Sequence, residues 1–206
     1  MSSKREWSKE VTPKLKASML GSADACYLNA CDLLADATRL SLSSSWPRAA
    51  AIAILAEEEF SKAFMLRICA GQGRWDSNIY DALRKHSSKQ GISQALREWL
   101  ELVVPNALRV KEMNEHVLIQ SQPSMFLASS DLDPIMDRAR KTLAKSSRDF
   151  LKQDALYVGI DEYASTTSIP STTTQAVAEA CILEARKFRA GLDLMSGDVR
   201  ALDEWR

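Results

Sequence analysis

Residues 49–63 read AAAIAILAEEEFSKA, an apolar run that passes directly into charged residues. Pro47 precedes the run, and a proline is tolerated at the start of a helix because its missing N–H is not needed there. The pattern ends at the glycine-rich residues 71–73. Together these features predict a helix over residues 47–70. Because it is apolar on nearly every side at first, this helix is expected to lie at the centre of the fold.

Further helices are predicted on both sides of this segment. Apolar residues from Tyr27 to Leu40 recur at spacings of three and four, which predicts a helix over residues 22–40. The other predicted helices cover residues 76–87, 92–119 with a kink at Pro105, 134–158 and 173–195, with loops over 120–133 and 159–171. Residues 1–15 are expected to form a short helix or an arm.

No repeat period and no alternating strand pattern stands out in the sequence. Alanine and leucine supply 51 of the 206 residues, whereas glycine and proline supply only 13, and this composition favours helix. The predicted fold class is therefore all-α: an antiparallel bundle of four to five helices with an extra terminal helix, forming a single domain over residues 1–206.

The balance of 27 basic and 27 acidic residues gives no global basic field, so strong non-specific DNA binding is not expected. The longest apolar run is about eight residues, whereas a membrane span needs about 20. The four cysteines lack zinc-site spacing, and the first ten residues are too polar for a secretory signal. We therefore expect a cytoplasmic protein with reduced thiols, no membrane association and no metal or other cofactor.

Charged residues interrupt the predicted central helix at Glu58, Glu59 and Lys62. Glu58 and Lys62 are four residues apart and Glu59 and Lys62 three apart, so either pair can form an ion pair on one helix face. Because burying such charges costs several kcal/mol per ion unless they are paired, their position indicates a cleft or an interface. The alternative is a structural ion pair where the helix emerges into solvent.

A second cluster consists of Arg84, Lys85, His86 and Lys89. A histidine can serve as general acid or base near neutral pH, and neighbouring cations can bind an RNA phosphate and stabilise an oxyanion. The alternative is a solvated helix end, where cations also interact favourably with the helix dipole.

A third candidate is the pair Arg109 and His116, whose side chains return to nearly the same helix face after seven residues. The alternative is a chance surface pair. A metal site made by residues 57–59 with Asp32 and Asp36 is a weaker candidate. The sequence contains no obvious second carboxylate motif at the spacing with which helical bundles build such sites. The aromatic residues are scattered along the sequence, so no nucleic-acid stacking platform is evident.

Four motifs in order resemble the AbiV abortive-infection family, over residues 22–160. They are Leu33-Leu34-Ala35-Asp36-Ala37, then Glu57-Glu58-Glu59-Phe60-Ser61-Lys62-Ala63, then His86-x-x-Lys89, and finally residues 152–158, Lys152-Gln153-Asp154-Ala155-Leu156-Tyr157-Val158. The family prefers glycine at the position of Ser61. It also prefers glycine and aspartate where Ala155 and Gly159 stand here.

AbiV proteins are similar to the HEPN superfamily of dimeric four-helix domains, many of which are metal-independent ribonucleases. Such enzymes use an Arg-x(4–6)-His motif, which Arg109 and His116 match in spacing. The family order instead places this motif near Arg148, which is followed by Gln153 rather than histidine. His86, with Lys62 and Lys89, is therefore the preferred substitute.

The resemblance implies an antiphage ribonuclease toxin that shuts down translation, with RNA as substrate, a homodimeric state and a phage protein as activator. The expected catalytic residues are His86, Lys89, Lys62, Glu58, Glu59, Arg109 and His116, and the expected RNA contacts are Arg84, Lys85, Lys152 and Tyr157. The alternatives are a non-catalytic helical module that senses a phage protein or blocks a host translation factor, and a metal-dependent phosphohydrolase.

Overall fold

The computed structural model describes residues 7–84, 89, 91–98, 100–101, 147–156, 159–160, 166–168 and 173–198. Its helices are α1 (Pro13–Leu42), α2 (Trp46–Gln72), α3 (Ser77–Arg84), α4 (Ser147–Leu156) and α5 (Gln175–Met195). Residues 91–98, 100 and 101 are also helical and are called the middle segment. The all-α prediction is confirmed. No helix in the described ranges combines the length and apolarity that a membrane span requires.

Two short antiparallel strand pairs accompany the helices. Strand β1 (Ser8–Glu10) pairs with β2 (Arg74–Asp76), and β3 (Gly159–Ile160) pairs with β4 (Thr166–Ser168). The first pair ties the N-terminal arm to the turn after α2. The second lies within the predicted loop at 159–171. Strands of two or three residues are too short to produce the alternating pattern by which strands are recognised.

Helix α1 begins nine residues before the predicted start. Thr12 accepts a hydrogen bond from the backbone N–H of Leu15 at 3.3 Å, and Pro13 occupies the first turn, so the helix has a good N-terminus there. Gly21 lies inside the helix, is exposed, and would meet nothing within 4 Å if it carried a Cβ. A tight turn with Ser44 at φ 60° leads into α2.

Helix α2 is the centre of the structure, as predicted. It ends at Gly73, whose φ of 66° is the left-handed conformation that glycine adopts most easily. It packs against α1, α4 and α5. Its alanines and its two phenylalanines are buried; Ala49, Ala53, Ala56, Ala63, Phe60 and Phe64 are each at 0% exposure. Small residues let the neighbouring helices approach closely, and Phe60 and Phe64 supply large buried volumes.

Helix α5 runs antiparallel to α1 and parallel to α2. Its C-terminal end reaches the first half of α1, where the Tyr27 hydroxyl donates to Asp193 at 2.5 Å. Burial and this hydrogen bond raise the pKa of Tyr27. Arg67 of α2 donates to the Leu192 carbonyl at 3.2 Å and forms an ion pair with Asp24 at 3.2 Å. These polar contacts fix the relative positions of three helices at one end of the bundle.

Gly191 of α5 lies against Leu100 of the middle segment. A Cβ on Gly191 would lie 2.2 Å from Leu100 Cδ2, and Leu100 is itself 1% exposed. A side chain at position 191 would therefore force the buried side chain of Leu100 to shift.

Two glycine-to-alanine variants test this packing. Gly21→Ala is expected to stabilise the protein by about 0.5–1 kcal/mol, since alanine is the better helix former and the site is open. Gly191→Ala gains the same helix propensity but forces Leu100 to move, and overpacking costs about 1–3 kcal/mol. Urea unfolding should give opposite signs for the two variants. A stabilised Gly191→Ala variant would contradict the close approach.

Candidate functional site

Five of the predicted site residues lie together in the structure. Glu58, Glu59 and Lys62 project from α2, Lys89 lies between α3 and the middle segment, and Lys152 belongs to α4. They interact electrostatically with one another around Lys89, and are called the polar cluster. Lys85, His86, Arg109, His116 and Tyr157 lie outside the described residues.

A buried ion pair joins α2 to α4. Lys152 Nζ donates to Glu58 Oε1 at 2.8 Å, and the two side chains are only 7% and 5% exposed. In the sequence, Glu58 is positioned to pair with Lys62, and Lys152 is predicted to contact RNA. The structure instead pairs Glu58 with Lys152, while Lys62 pairs with Glu59.

Lys62 pairs with Glu59 one helical turn before it. Both side chains are about one-fifth exposed, so this pair lies at the edge of the protein interior. The thiol of Cys26 on α1 hydrogen-bonds to Glu59 from the other side. Burial raises the pKa of Cys26, and the negative charge of Glu59 raises it further. Glu59 thus holds two side chains in place, one from α1 and one from its own helix.

Lys89 makes no ion pair with any residue that the structure describes. Burial lowers its pKa below the ordinary value of 10.5, and the nearby ammonium of Lys62 lowers it further. Glu58 and Glu59 act in the opposite direction and only partly offset this effect. The polar cluster therefore contains three lysines and two glutamates. Its excess positive charge lies on the half-buried ammonium of Lys89.

A pair of buried hydroxyls lies beneath the polar cluster. Ser61 Oγ is 2.7 Å from Ser93 Oγ and 2.7 Å from the Glu57 carbonyl, and Ser93 Oγ is 3.1 Å from the Lys89 carbonyl. The two hydroxyl groups have one proton each, so at any time only two of these three contacts are hydrogen bonds. The pair anchors the backbone of Lys89 to α2.

A chain of charges connects α2, the middle segment and α5. Arg97 Nη2 lies 3.5 Å from buried Glu57, and Arg97 Nε lies 2.8 Å from Glu184, which also accepts from Lys187 at 3.0 Å. Residue 57 is thus partnered by an arginine from another helix. The three consecutive glutamates of α2 each point to a different cation.

Arg84 lies at the end of α3. It donates to the hydroxyl of Tyr80 at 2.9 Å and lies over its ring, and none of its contacts with described residues joins it to the polar cluster. Asp36, a candidate metal ligand, is 58% exposed and pairs with Arg39 on its own helix. Across the described ranges, no three His, Cys, Asp or Glu side chains converge on a metal position.

Two site residues carried no signal in the sequence. Cys26 stood out only as one of four cysteines without a motif, and Ser93 as one of many serines. Both become visible only when α1 and the middle segment are packed on α2, since their partners, Glu59 and Ser61, are distant in the chain.

The Glu58–Lys152 pair is open to a direct stability test. Lys152→Met removes the cation 2.8 Å from a buried carboxylate and is expected to destabilise the protein by about 3 kcal/mol. The double variant Glu58→Gln, Lys152→Met should recover much of that loss. As the matched control, Arg39→Met breaks an exposed pair and should change stability by less than about 1 kcal/mol. Equal effects of Lys152→Met and Arg39→Met in urea unfolding would show that the pair is not buried.

A sequence profile of the HEPN family AbiV matches residues 19–189. The matched region contains every member of the polar cluster, as well as Cys26, Ser61 and Ser93. No curated protein and no solved structure matches the chain. Because the profile covers most of the sequence and the fold is helical, the chain belongs to the AbiV family of HEPN-type abortive-infection proteins.

Proposed function

We propose that the protein is a metal-independent ribonuclease toxin that cleaves RNA and shuts down translation during phage infection. The observation that carries this proposal is the charge of the polar cluster: three lysines converge with two glutamates, and Lys89 has no ion-pair partner among the described residues. A half-buried cation that no described carboxylate pairs with suits a phosphate, which supplies a negative charge.

The reaction that fits these groups is attack by the RNA 2′-hydroxyl on its own phosphate. His86, three residues before Lys89, takes the proton of the 2′-hydroxyl, and the 2′-oxygen bonds to phosphorus. The bond from phosphorus to the 5′-oxygen then breaks, and the leaving oxygen takes up a proton. The products are a 2′,3′-cyclic phosphate and a 5′-hydroxyl.

The cations of the polar cluster have different roles in this proposal. Lys89 and Lys62 stabilise the negative charge of the phosphorane, and Glu59 orients Lys62. Lys152 is bound to Glu58 inside the protein, so its role is to hold α4 against α2. Arg84 contacts RNA outside the reacting phosphate. The Arg109–His116 pair is the competing assignment for the catalytic groups.

A homodimer belongs to the same proposal, and its interface is placed where α1 ends beside α5. Leu42 is 84% exposed and Leu183 49% exposed, and they line a groove of about 310 Å³. Glu179 and Arg186 lie along the same groove. In a two-fold interface, each copy would offer both leucines and both charges to its partner, so the surface is self-complementary.

Light scattering at micromolar concentration is expected to give the mass of two chains. Leu42→Glu places a charge in the middle of the proposed interface and should yield a monomer. Leu20→Glu is the control, because Leu20 lies about 33 Å away along α1. A monomeric parent protein, or a dimer that survives Leu42→Glu, would contradict this interface.

RNA cleavage is tested with purified protein and total RNA in EDTA, with the ends of the products mapped. Lys89→Met should slow cleavage by about 10²-fold or more.

The same variant should unfold at the same or a higher urea concentration at pH 7. The pKa of Lys89 is lower in the folded chain than in the unfolded chain, so the charged lysine lowers the free energy of unfolding at neutral pH. This destabilising contribution decreases as the pH rises towards 10.5.

The two histidines separate the competing assignments in the same assay. His86→Ala should slow cleavage by about 10²–10⁴-fold, and His116→Ala should leave it unchanged. The reverse result would assign catalysis to Arg109 and His116. Cleavage that requires Mg²⁺ and leaves 5′-phosphates would favour the metal-dependent phosphohydrolase. RNA binding without cleavage, with or without a phage protein as activator, would favour the non-catalytic module.

A further inference from the structure

The structure gathers aromatic residues that are distant in the sequence. Trp7 precedes β1, Trp75 lies in β2 and Tyr80 lies in α3. The ring centroids of Trp7 and Tyr80 are 5.9 Å apart, and those of Trp75 and Tyr80 are 6.4 Å apart. The three rings, called the aromatic platform, lie together although their residues are scattered along the sequence. The pairing of β1 with β2 brings the segments that contain Trp7 and Trp75 next to each other.

Cations border the aromatic platform at both ends. Lys9 Nζ lies 5.4 Å from the ring centroid of Trp7, and Lys9 is directly opposite Trp75 in the strand pair. Arg84 lies 5.1 Å from the ring centroid of Tyr80. Neither cation has an ion-pair partner among the described residues. Their positive charge is therefore held beside aromatic rings and is not neutralised by a described carboxylate.

Described acidic residues near the platform include Glu10, Asp76 and Asp81. Asp76 is occupied, since it forms an ion pair with Arg74 at 3.1 Å and accepts hydrogen bonds from the backbone N–H groups of Asn78 and Ile79. Glu10 lies opposite Arg74 in the strand pair, whereas Lys9 lies opposite Trp75. Asp81 belongs to α3, directly after Tyr80.

The platform is more exposed than the aromatic residues of the core, and Trp75 packs against the edge of that core. The aromatic residues of the core, Phe60 and Phe64, are 0% exposed, whereas Tyr80 is 39% exposed and both tryptophans are half-buried. All three residues of β1 are exposed. A cluster that only secured the N-terminal arm would gain most by burying its rings.

We propose that the aromatic platform binds unpaired nucleotides of single-stranded RNA. In this binding mode Lys9 and Arg84 turn from the ring faces that they cover and contact phosphates, while bases stack on Tyr80 and on the tryptophan rings. The identity of the nucleic acid as RNA rests on the proposed function. Since Arg84 is two residues before His86, the platform would deliver unpaired RNA to the segment that carries the proposed catalytic histidine.

The test uses a fluorescein-labelled 12-nucleotide 2′-O-methyl oligouridine, which lacks the free 2′-hydroxyl and cannot be cleaved by the proposed reaction. Fluorescence anisotropy with the full-length protein should show binding, and annealing the probe to a complementary strand should weaken it at least about tenfold. Tyr80→Leu should raise Kd by about tenfold or more, since stacking on the ring is lost. Tyr80→Phe keeps the ring and should bind like the parent protein.

The charges are tested by the salt dependence of the same binding. Lys9→Gln and Arg84→Gln should each weaken binding and reduce the slope of log K against log salt by about 0.7, the value for one phosphate contact to a single strand. Arg39→Gln removes an exposed charge from α1 and is the matched control. A DNA 12-mer of thymidines shows whether the platform discriminates between the two sugars.

The inference would be overturned by no binding of the oligouridine, or by a Kd that Tyr80→Leu leaves unchanged while circular dichroism shows that the variant is folded. Tight binding of the duplex would also contradict it, because paired bases cannot stack on the rings. The experiments distinguish failure of this inference from failure of the proposed ribonuclease activity. Binding that depends on Tyr80 in a protein that cleaves nothing supports the platform alone, and cleavage that ignores Tyr80 supports the ribonuclease alone.

Discussion

The structure depends on the burial of charged residues in a helix that is surrounded by other helices. Glu57 and Glu58 are 2% and 4% exposed in the middle of α2. A carboxylate in that position is tolerated only when a cation is brought to it. Lys152 comes from α4 and Arg97 from the middle segment. Meeting this requirement holds α4 and the middle segment against α2.

The same requirement links stability to the chemistry proposed for the site. The glutamates of the polar cluster neutralise two of its lysines and leave one positive charge in a half-buried position. A cluster with matched charges would be more stable but would have nothing to offer an anion. Burial and the charge of Lys62 disfavour the charged form of Lys89, which lowers its pKa. Keeping this lysine charged therefore reduces the stability of the folded protein.

Much of the architecture was readable in the sequence, and the reasons are local. The apolar run before Glu57 identified the central helix, and the spacing of residues such as Ala30 and Leu34 identified α1. The glutamates and Lys62 could be singled out because charge is rare in an apolar helix. The partners were not readable in the same way. Lys152, Ser93 and Cys26 reach α2 from distant parts of the chain, and nothing in their neighbourhoods marks them as partners. The aromatic platform was missed for the same reason, since three-residue strands bring its rings together.

The hydroxyl pair beneath the polar cluster has an evolutionary consequence. Ser61 stands where AbiV relatives prefer glycine, and its hydroxyl is satisfied by the Glu57 carbonyl and by Ser93 across the helix boundary. A glycine at position 61 would leave Ser93 with only the Lys89 carbonyl as a partner, and a space the size of the serine side chain between the two helices. A larger or apolar residue at position 93 would fill that space. Positions 61 and 93 are therefore expected to covary in the family, so that serine occurs with serine and glycine with a bulkier neighbour.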